Sequence, residues 1–126
     1  MGCLSVALVL HLLSAHSEPG FENANVGAGL ECRITKELSA EMGGYRNSYG
    51  RGSAYVAGGY RHTFASQWAI GAAIGIATGY PDGTIPIGGV SLHTPTANGW
   101  GARLLAGPKV HEGGAHVLHL MITKEL

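Results

Sequence analysis

The segment from Trp68 to Tyr80, WAIGAAIGIATGY, alternates two unlike kinds of residue along its whole length. Successive side chains of a β-strand point to opposite faces, so every second residue shares a face. One face is mostly bulky and apolar: Trp68, Ile70, Ala72, Ile74, Ile76, Thr78 and Tyr80. The other holds only alanine and glycine: Ala69, Gly71, Ala73, Gly75, Ala77 and Gly79. We therefore predict a long β-strand with one bulky apolar face and one face of almost no side chain.

Seven further segments have strand length or the same alternation, and short segments rich in turn-forming residues separate most of them. They are 6–17, 25–34, 38–49, 53–64, 85–94, 99–107 and 116–123, with a loop expected at 108–115. Consecutive strands joined by tight turns are antiparallel neighbours, and about eight of them can close into a barrel that has no exposed edge. The sequence therefore predicts an all-β fold, an antiparallel up-and-down β-barrel of about eight strands that forms a single domain over residues 1–126.

The apolar segment from Leu4 to Leu13, LSVALVLHLL, has two interpretations. It could be the apolar part of a degraded signal segment over residues 1–13, or it could be the first strand of the barrel. No basic residue precedes it, and His11 interrupts it, whereas signal peptides have a basic start and an unbroken apolar region. These two features favour the first strand.

The composition limits the classes of function. Eight basic and eight acidic side chains balance, so the chain lacks the basic excess of a nucleic-acid-binding face, and we expect no nucleic-acid partner. The seven histidines show no spacing typical of metal ligands, so the sequence predicts neither a metal site nor a cofactor. Cys3 and Cys32 are too few for a disulfide framework. One bridge between them is possible, but two free thiols is the favoured interpretation.

Charged residues fall on the small-residue faces of the predicted strands. They are Glu31, Arg33, Glu41 and Arg103. Such faces make a sparse exterior for a soluble barrel, but they suit a narrow lumen in which carboxylates pair with arginines. The bulky faces would then contact lipid, with Trp68, Tyr80 and Trp100 as aromatic residues at the membrane interface. The pattern favours a membrane barrel, and a soluble barrel is the alternative.

Several short motifs carry a resemblance to a known group of proteins. They are YRNSYG at 45–50, SAYVAG at 53–58, GFENAN at 20–25 and ATGY at 77–80. Through them the chain resembles small, mostly uncharacterised β-barrel proteins of proteobacteria and their tailed phages, over most of residues 10–107. The resemblance implies an eight-stranded barrel similar in size to the lipid A palmitoyltransferase and to the transmembrane domain of OmpA-type proteins. It also implies an outer-membrane location, or alternatively a phage virion, with lipid or lipopolysaccharide as partner.

One cluster could carry chemistry. In the segment HLLSAHS, the predicted strand places Ser14 and His16 on one face and His11 on the other. An imidazole can activate a hydroxyl for attack on an ester when a third group orients the imidazole. A loop residue, Glu18, Glu22 or Asp82, could supply that third group. The favoured alternative is that Ser14 and His16 are polar residues where the first strand leaves the membrane.

Three functions are consistent with these patterns. The favoured one is a non-enzymatic outer-membrane-type barrel with a structural or surface-modifying role, encoded by a phage or a bacterium. The second is a lipid-modifying acyl hydrolase or transferase that uses Ser14 and His16. The third is a soluble or virion-associated structural barrel.

Overall fold

Eight antiparallel strands form the whole framework of the computed structural model, which describes residues 2–108 and 115–126. The strands are β1 (Ser5–His16), β2 (Gly27–Arg33), β3 (Leu38–Arg46), β4 (Gly52–Thr63), β5 (Ala69–Tyr80), β6 (Gly83–His93), β7 (Trp100–Gly107) and β8 (Val117–Glu125). Each pairs with the next, and β8 pairs with β1, so the sheet closes into a barrel. The predicted all-β fold is confirmed. Most of the loop predicted at 108–115 lies outside the described residues.

The barrel has an upper and a lower end. At the upper end β1 leads into β2 through residues 17–26, β3 into β4 through 47–51, and β5 into β6 through 81–82. We call this end the mouth. The lower end carries the connections 34–37, 64–68 and 94–99, and it includes a single 3₁₀ turn, Ala65–Gln67. No helix in the described part of the chain is long and apolar enough to cross a membrane.

The segment predicted as either a leader or a first strand is strand β1 from Ser5 onward. It pairs with β2 on one side and with β8 on the other, so it closes the barrel. A bulge between His11 and Leu13 shifts its register against β8. Because of this extra residue, His11 and Ser14 are both buried inside the barrel. The expectation that His11 lies on the opposite face from Ser14 is therefore wrong.

Strand β5 shows that the bulky faces point outward. Ala69 and Ala77 are almost fully buried, whereas Ile74, at the middle of the strand, is 75% exposed. A side chain at Gly75 would collide with the backbone oxygen of Val56 on β4, which explains the glycine at that position. The other strands contribute more exposed apolar side chains, and together they form what we call the apolar belt: Leu30, Met42, Val56, Tyr60, Ile70, Ile74, Ile76, Val90, Leu92, Leu104 and Leu118.

The three aromatic residues predicted for the membrane interface do not share one location. Trp68 and Trp100 are exposed on the exterior beside the starts of β5 and β7, at the lower end. Tyr80 is not on the exterior, because the β5–β6 register shifts between Ala77 and Tyr80. This bulge includes Gly79 in the left-handed region, at φ 82°. It turns the Tyr80 hydroxyl inward, where it is hydrogen-bonded to the hydroxyl of Tyr45. The exterior placement of Tyr80 is thus corrected.

The two cysteines form a disulfide, Cys3–Cys32, with their Cα atoms 5.2 Å apart. The interpretation as two free thiols is therefore wrong. The antiparallel pairing of β1 with β2 sets Val6 opposite Cys32, and the Leu4 amide donates to the Arg33 carbonyl oxygen just beyond that pair. This register brings the residues before β1 beside the end of β2, which the sequence separation of 29 does not reveal.

Candidate functional site

The lower half of the lumen holds a network of charged side chains. Glu31 and Glu41 are directly opposite each other on β2 and β3, and they share the inner face. Arg103 reaches them from β7, on another wall of the barrel. Its Nη2 donates to Glu31 Oε2 at 3.0 Å, and its Nη1 donates to Glu41 Oε1 at 2.8 Å. Two like charges in direct cross-strand contact repel each other, so Arg103 neutralises a pair that would otherwise destabilise the fold.

A second arginine completes this network, but it is not the one predicted. Arg61 on β4 donates from Nη2 to both carboxylate oxygens of Glu31, at 3.1 and 3.0 Å. Arg33 lies on the same face of β2 as Glu31, yet it takes part in no ion pair among the described residues. The structure thus joins three of the predicted residues, Glu31, Glu41 and Arg103, to Arg61.

Above the ion pairs runs a continuous chain of hydrogen bonds that we call the lumen relay. Tyr55 donates its hydroxyl to Glu41 Oε2 and is 2.8 Å from His11 Nε2. His11 Nδ1 is 2.9 Å from His119 Nε2, and His119 Nδ1 is 2.6 Å from Ser14 Oγ. The predicted candidate Ser14 is therefore bonded to His119 of β8, its direct cross-strand partner, and not to His16.

His16 belongs to a separate group at the mouth, which we call the mouth triad. Its Nδ1 lies 2.6 Å from Asn23 Oδ1, and its Nε2 lies 2.7 Å from Ser48 Oγ. An amide oxygen only accepts, so Nδ1 carries the proton and a neutral His16 leaves Nε2 free to accept from the Ser48 hydroxyl. A nucleophile bonded to a base that a third group orients is the arrangement by which such triads are recognised.

The connection between β3 and β4 holds Ser48 in place through Asn47, which is fully buried. The Asn47 Oδ1 accepts from the backbone amides of Tyr49 and Arg51, so the side chain closes the turn around Ser48. Its Nδ2 donates to Ser53 Oγ and to the Gly79 carbonyl oxygen, which fastens this turn to β4 and β5. Asn47 therefore fixes the backbone that presents Ser48.

A row of aromatic side chains begins at the imidazole at the mouth. Phe21 stacks on His16 with ring centres 5.2 Å apart, and Tyr49 meets the edge of Phe21 at 5.4 Å. Tyr49 is at right angles to Tyr80 at 6.0 Å. Burial, and then the Asp82 carboxylate, raise the pKa of the Tyr49 phenol. These contacts hold the His16 ring in one orientation.

The predicted third group is replaced by a neighbour in the sequence. Among the proposed carboxylates, Glu22 forms an ion pair with Arg46, with 3.5 Å between Glu22 Oε2 and Arg46 Nη2. The adjacent Asn23 faces His16 instead. The pairing of Ser48 with His16 could not be predicted from the sequence, because 32 residues separate them and only the closed barrel brings the connection 47–51 to the end of β1. Within 2–108 and 115–126, no group of three or more histidine, cysteine or acidic side chains could hold a metal ion.

A cavity of about 210 Å³ lies beneath the mouth. Both hydroxyl–imidazole pairs line it, Ser48 with His16 and Ser14 with His119. Part of its wall is apolar, formed by Ala73, Gly75, Ile85, Ile87 and Leu105, and the Glu31–Arg103 ion pair borders it as well.

Fold and site together define a small, closed, membrane-type β-barrel with a charged lumen and an apolar exterior. Among solved structures, a similar chain comes from work described as "De novo design of transmembrane beta-barrels". The two chains superpose with a TM-score of 0.79 at 10% sequence identity, over 100% of this chain and 98% of the designed one. At this identity the likeness concerns the fold alone. No protein-family model and no curated protein matches the sequence.

Proposed function

We propose that this chain is a membrane-embedded β-barrel that hydrolyses or transfers an acyl ester of a lipid at its mouth. The observation that carries the proposal is the mouth triad, in which Ser48, His16 and Asn23 are joined by hydrogen bonds of 2.7 and 2.6 Å. The sequence favoured a non-enzymatic barrel. This geometry, which the sequence does not reveal, is the reason for preferring the acyl-transfer alternative, with Ser48 instead of Ser14 as the partner of His16.

The exterior supports the membrane setting. The apolar belt includes Ile74 at 75% and Met42 at 62% exposure, while the charged pairs Arg103–Glu31 and Arg103–Glu41 are enclosed by the wall. This is the inside-out distribution of a membrane barrel. Trp68 and Trp100 mark one edge of the belt, where amphipathic rings suit the lipid–water interface. Together with the motif resemblance, these features lead us to place the barrel in a bacterial outer membrane, with a phage virion as the alternative.

The chemistry of the mouth triad can be followed atom by atom. Ser48 Oγ attacks the ester carbonyl carbon and passes its proton to His16 Nε2, while Asn23 Oδ1 holds the Nδ1–H. His16 then gives this proton to the oxygen of the departing alcohol as the ester bond breaks, which leaves the acyl group on Ser48. Water, in hydrolysis, or the hydroxyl of an acceptor lipid, in transfer, then attacks the acyl-serine with His16 again as base.

The position of the mouth triad indicates a lipid ester as substrate. An apolar belt holds the barrel among acyl chains, so its mouth lies at the level where lipid ester bonds are found. The apolar part of the cavity wall, at Ile85, Ile87 and Leu105, offers a surface for an acyl chain in the same cavity that Ser48 lines. Lipopolysaccharide and phospholipids both carry such esters.

The experiment uses the refolded full chain in detergent micelles with radiolabelled lipopolysaccharide and, separately, radiolabelled phospholipid. We expect acyl release or transfer from one of them. Ser48→Ala and His16→Ala should each lower the rate at least about 1,000-fold, because members of such a unit act together. Asn23→Ala should cause a smaller loss.

The matched control is Ser66→Ala, at an exposed serine near the opposite end of the barrel, which should keep the full rate. Heat-modifiable gel mobility shows that every variant is folded. Wild-type protein that is folded but inactive on both substrates, or a fully active Ser48→Ala variant, would contradict the proposed function.

A further inference from the structure

The barrel contains a second serine–histidine pair that the mouth triad does not use. Ser14 Oγ lies 2.6 Å from His119 Nδ1, and His119 Nε2 lies 2.9 Å from His11 Nδ1. Ser14 is 6% exposed, but it borders the same cavity as Ser48. These atoms reproduce the relation of nucleophile, base and orienting group in a second place.

The direction of every hydrogen bond in the lumen relay follows from the lower end of the relay, at Glu41. The Glu41 carboxylate only accepts, so Tyr55 must donate its single hydroxyl proton to it, and the Tyr55 oxygen then accepts from His11 Nε2–H. A neutral His11 consequently accepts at Nδ1 from His119 Nε2–H. A neutral His119 then accepts at Nδ1 from the Ser14 hydroxyl. Each group between the ends donates once and accepts once.

Polar side chains are not needed to fill the barrel at this depth. Val9 on β1 precedes His11 by two residues on the inner face, and Met121 on β8 follows His119 by two. Both are apolar and almost fully buried, at 0% and 2% exposure. An unbroken hydrogen-bonded chain directly above them costs desolvation that an apolar core avoids. This contrast indicates that the lumen relay has a chemical use.

We propose that Ser14 is a second nucleophile, which accepts an acyl group from an ester inside the lumen, with His119 as its base. Ser14 Oγ forms a bond to the ester carbonyl carbon, and the ester's alcohol leaves after that bond forms. The Ser14 proton moves to His119 Nδ1, while the His119 Nε2 proton passes to His11, the His11 Nε2 proton to Tyr55, and the Tyr55 proton to Glu41. When the alcohol departs, the lumen relay returns a proton to the oxygen of that alcohol.

The length of the relay has an electrostatic reason. A lone imidazole that accepts the Ser14 proton would become a cation inside a narrow lumen that already contains Arg61 and Arg103. Transfer along the relay leaves both histidines neutral and places the proton on Glu41, a carboxylate that Arg103 holds at 2.8 Å. The proton then neutralises a carboxylate, so no new cation forms on either imidazole beside Ser14. In this role His11, Tyr55 and Glu41 are positioning residues, since they act through His119.

This inference does not depend on the proposed function, because the two serines have different bases. The probe is a long-chain alkyl fluorophosphonate, which phosphonylates activated serines, and peptide mass mapping identifies the modified residue. In Ser48→Ala protein we expect an adduct on Ser14, absent from the Ser14→Ala, Ser48→Ala double variant. His119→Ala should slow Ser14 labelling about 100-fold or more, as for loss of a general base.

A matched pair of phenols separates a relay from simple packing. Tyr55→Phe interrupts the relay, so the maximal labelling rate of Ser14 should fall about 10-fold, with the half-saturating probe concentration unchanged. Tyr45→Phe removes another lumenal hydroxyl, bonded to Tyr80 and outside the relay, and should leave both values as they are. All variants are checked for folding by gel mobility.

The outcomes are distinct for the two serines. Labelling of Ser48 alone overturns the inference and leaves the proposed function standing. Labelling of Ser14 alone supports the inference and removes Ser48 as the proposed nucleophile. Equal Ser14 labelling in the Tyr55→Phe and Tyr45→Phe proteins overturns the relay, and labelling of neither serine overturns both assignments.

Discussion

Arg103→Met is the most informative single change in the lumen. Arg103 is 8% exposed and is the guanidinium that contacts both Glu31 and Glu41, which are direct cross-strand partners. Its removal leaves Arg61 on Glu31, whereas Glu41 loses its cation. Two like charges at the roughly 5 Å that separates cross-strand Cβ atoms repel by roughly 3 kcal/mol at an effective dielectric constant of about 20. Breaking a buried ion pair on one side costs about 3–5 kcal/mol. We therefore expect the free energy of unfolding to fall by about 3–5 kcal/mol.

The assay is reversible unfolding by urea or guanidinium of the barrel in lipid vesicles or detergent micelles, followed by tryptophan fluorescence. Glu41→Gln in the Arg103→Met background removes the unpaired carboxylate and should restore at least half of the lost stability. The four proteins form a double-mutant cycle, and the coupling between positions 41 and 103 should reach about 2 kcal/mol. A loss below about 1 kcal/mol for Arg103→Met, or additive effects of the two changes, would refute the reasoning.

The remaining predictions concern the disulfide and the crowded inner wall. The disulfide closes a loop with a sequence separation of 29, so Cys3→Ser with Cys32→Ser should lower the free energy of unfolding by about 3–4 kcal/mol. Thiol titration of the unreduced wild-type protein should find no free thiol, because both cysteines are in the bridge. A result of two free thiols would contradict this pairing. Gly75→Val should cost about 3 kcal/mol in the same unfolding assay, because its side chain would collide with the Val56 backbone. In the control Gly58→Ala the added Cβ would meet no atom closer than 4.0 Å, so this variant should stay within about 0.5 kcal/mol of wild type. A loss for Gly75→Val as small as that for Gly58→Ala would show that the inner wall is not tightly packed at Gly75.

Alternation along single strands was enough to predict the barrel and most of its lumen. The faces of β5 followed directly from its sequence, and the same alternation on β4 sets Arg61 on the inner face with Tyr55. Arg61 could therefore have been found from the sequence. Arg33 is on the inner face of β2 together with Glu31. Alternation along a strand does not show which arginine meets Glu31, because that depends on where β4 and β7 lie across the lumen.

Alternation along the strands could not predict the bulges or the conformations of the loops. One extra residue in β1 turned both His11 and Ser14 inward, and a bulge at Gly79 turned Tyr80 inward. A two-residue period has no means to signal such insertions. The mouth triad depends on two loops, and the turn around Asn47 sets the position of Ser48 through hydrogen bonds that no local pattern specifies. The disulfide depends in the same way on the β1–β2 register.

The membrane setting of the apolar belt is the central claim, and Ile74→Arg tests it most directly. Ile74 is at the middle of β5, 75% exposed, opposite Gly58 and Gly88 of the neighbouring strands. The control Thr84→Arg places the same charge on the exterior near the mouth. Measured by reversible unfolding in lipid bilayers, Ile74→Arg should cost about 2–4 kcal/mol and Thr84→Arg about 0–1 kcal/mol, because the cost of arginine depends on its depth in the membrane. Equal, small costs at both positions, with a folded monomer in plain buffer, would contradict the membrane barrel.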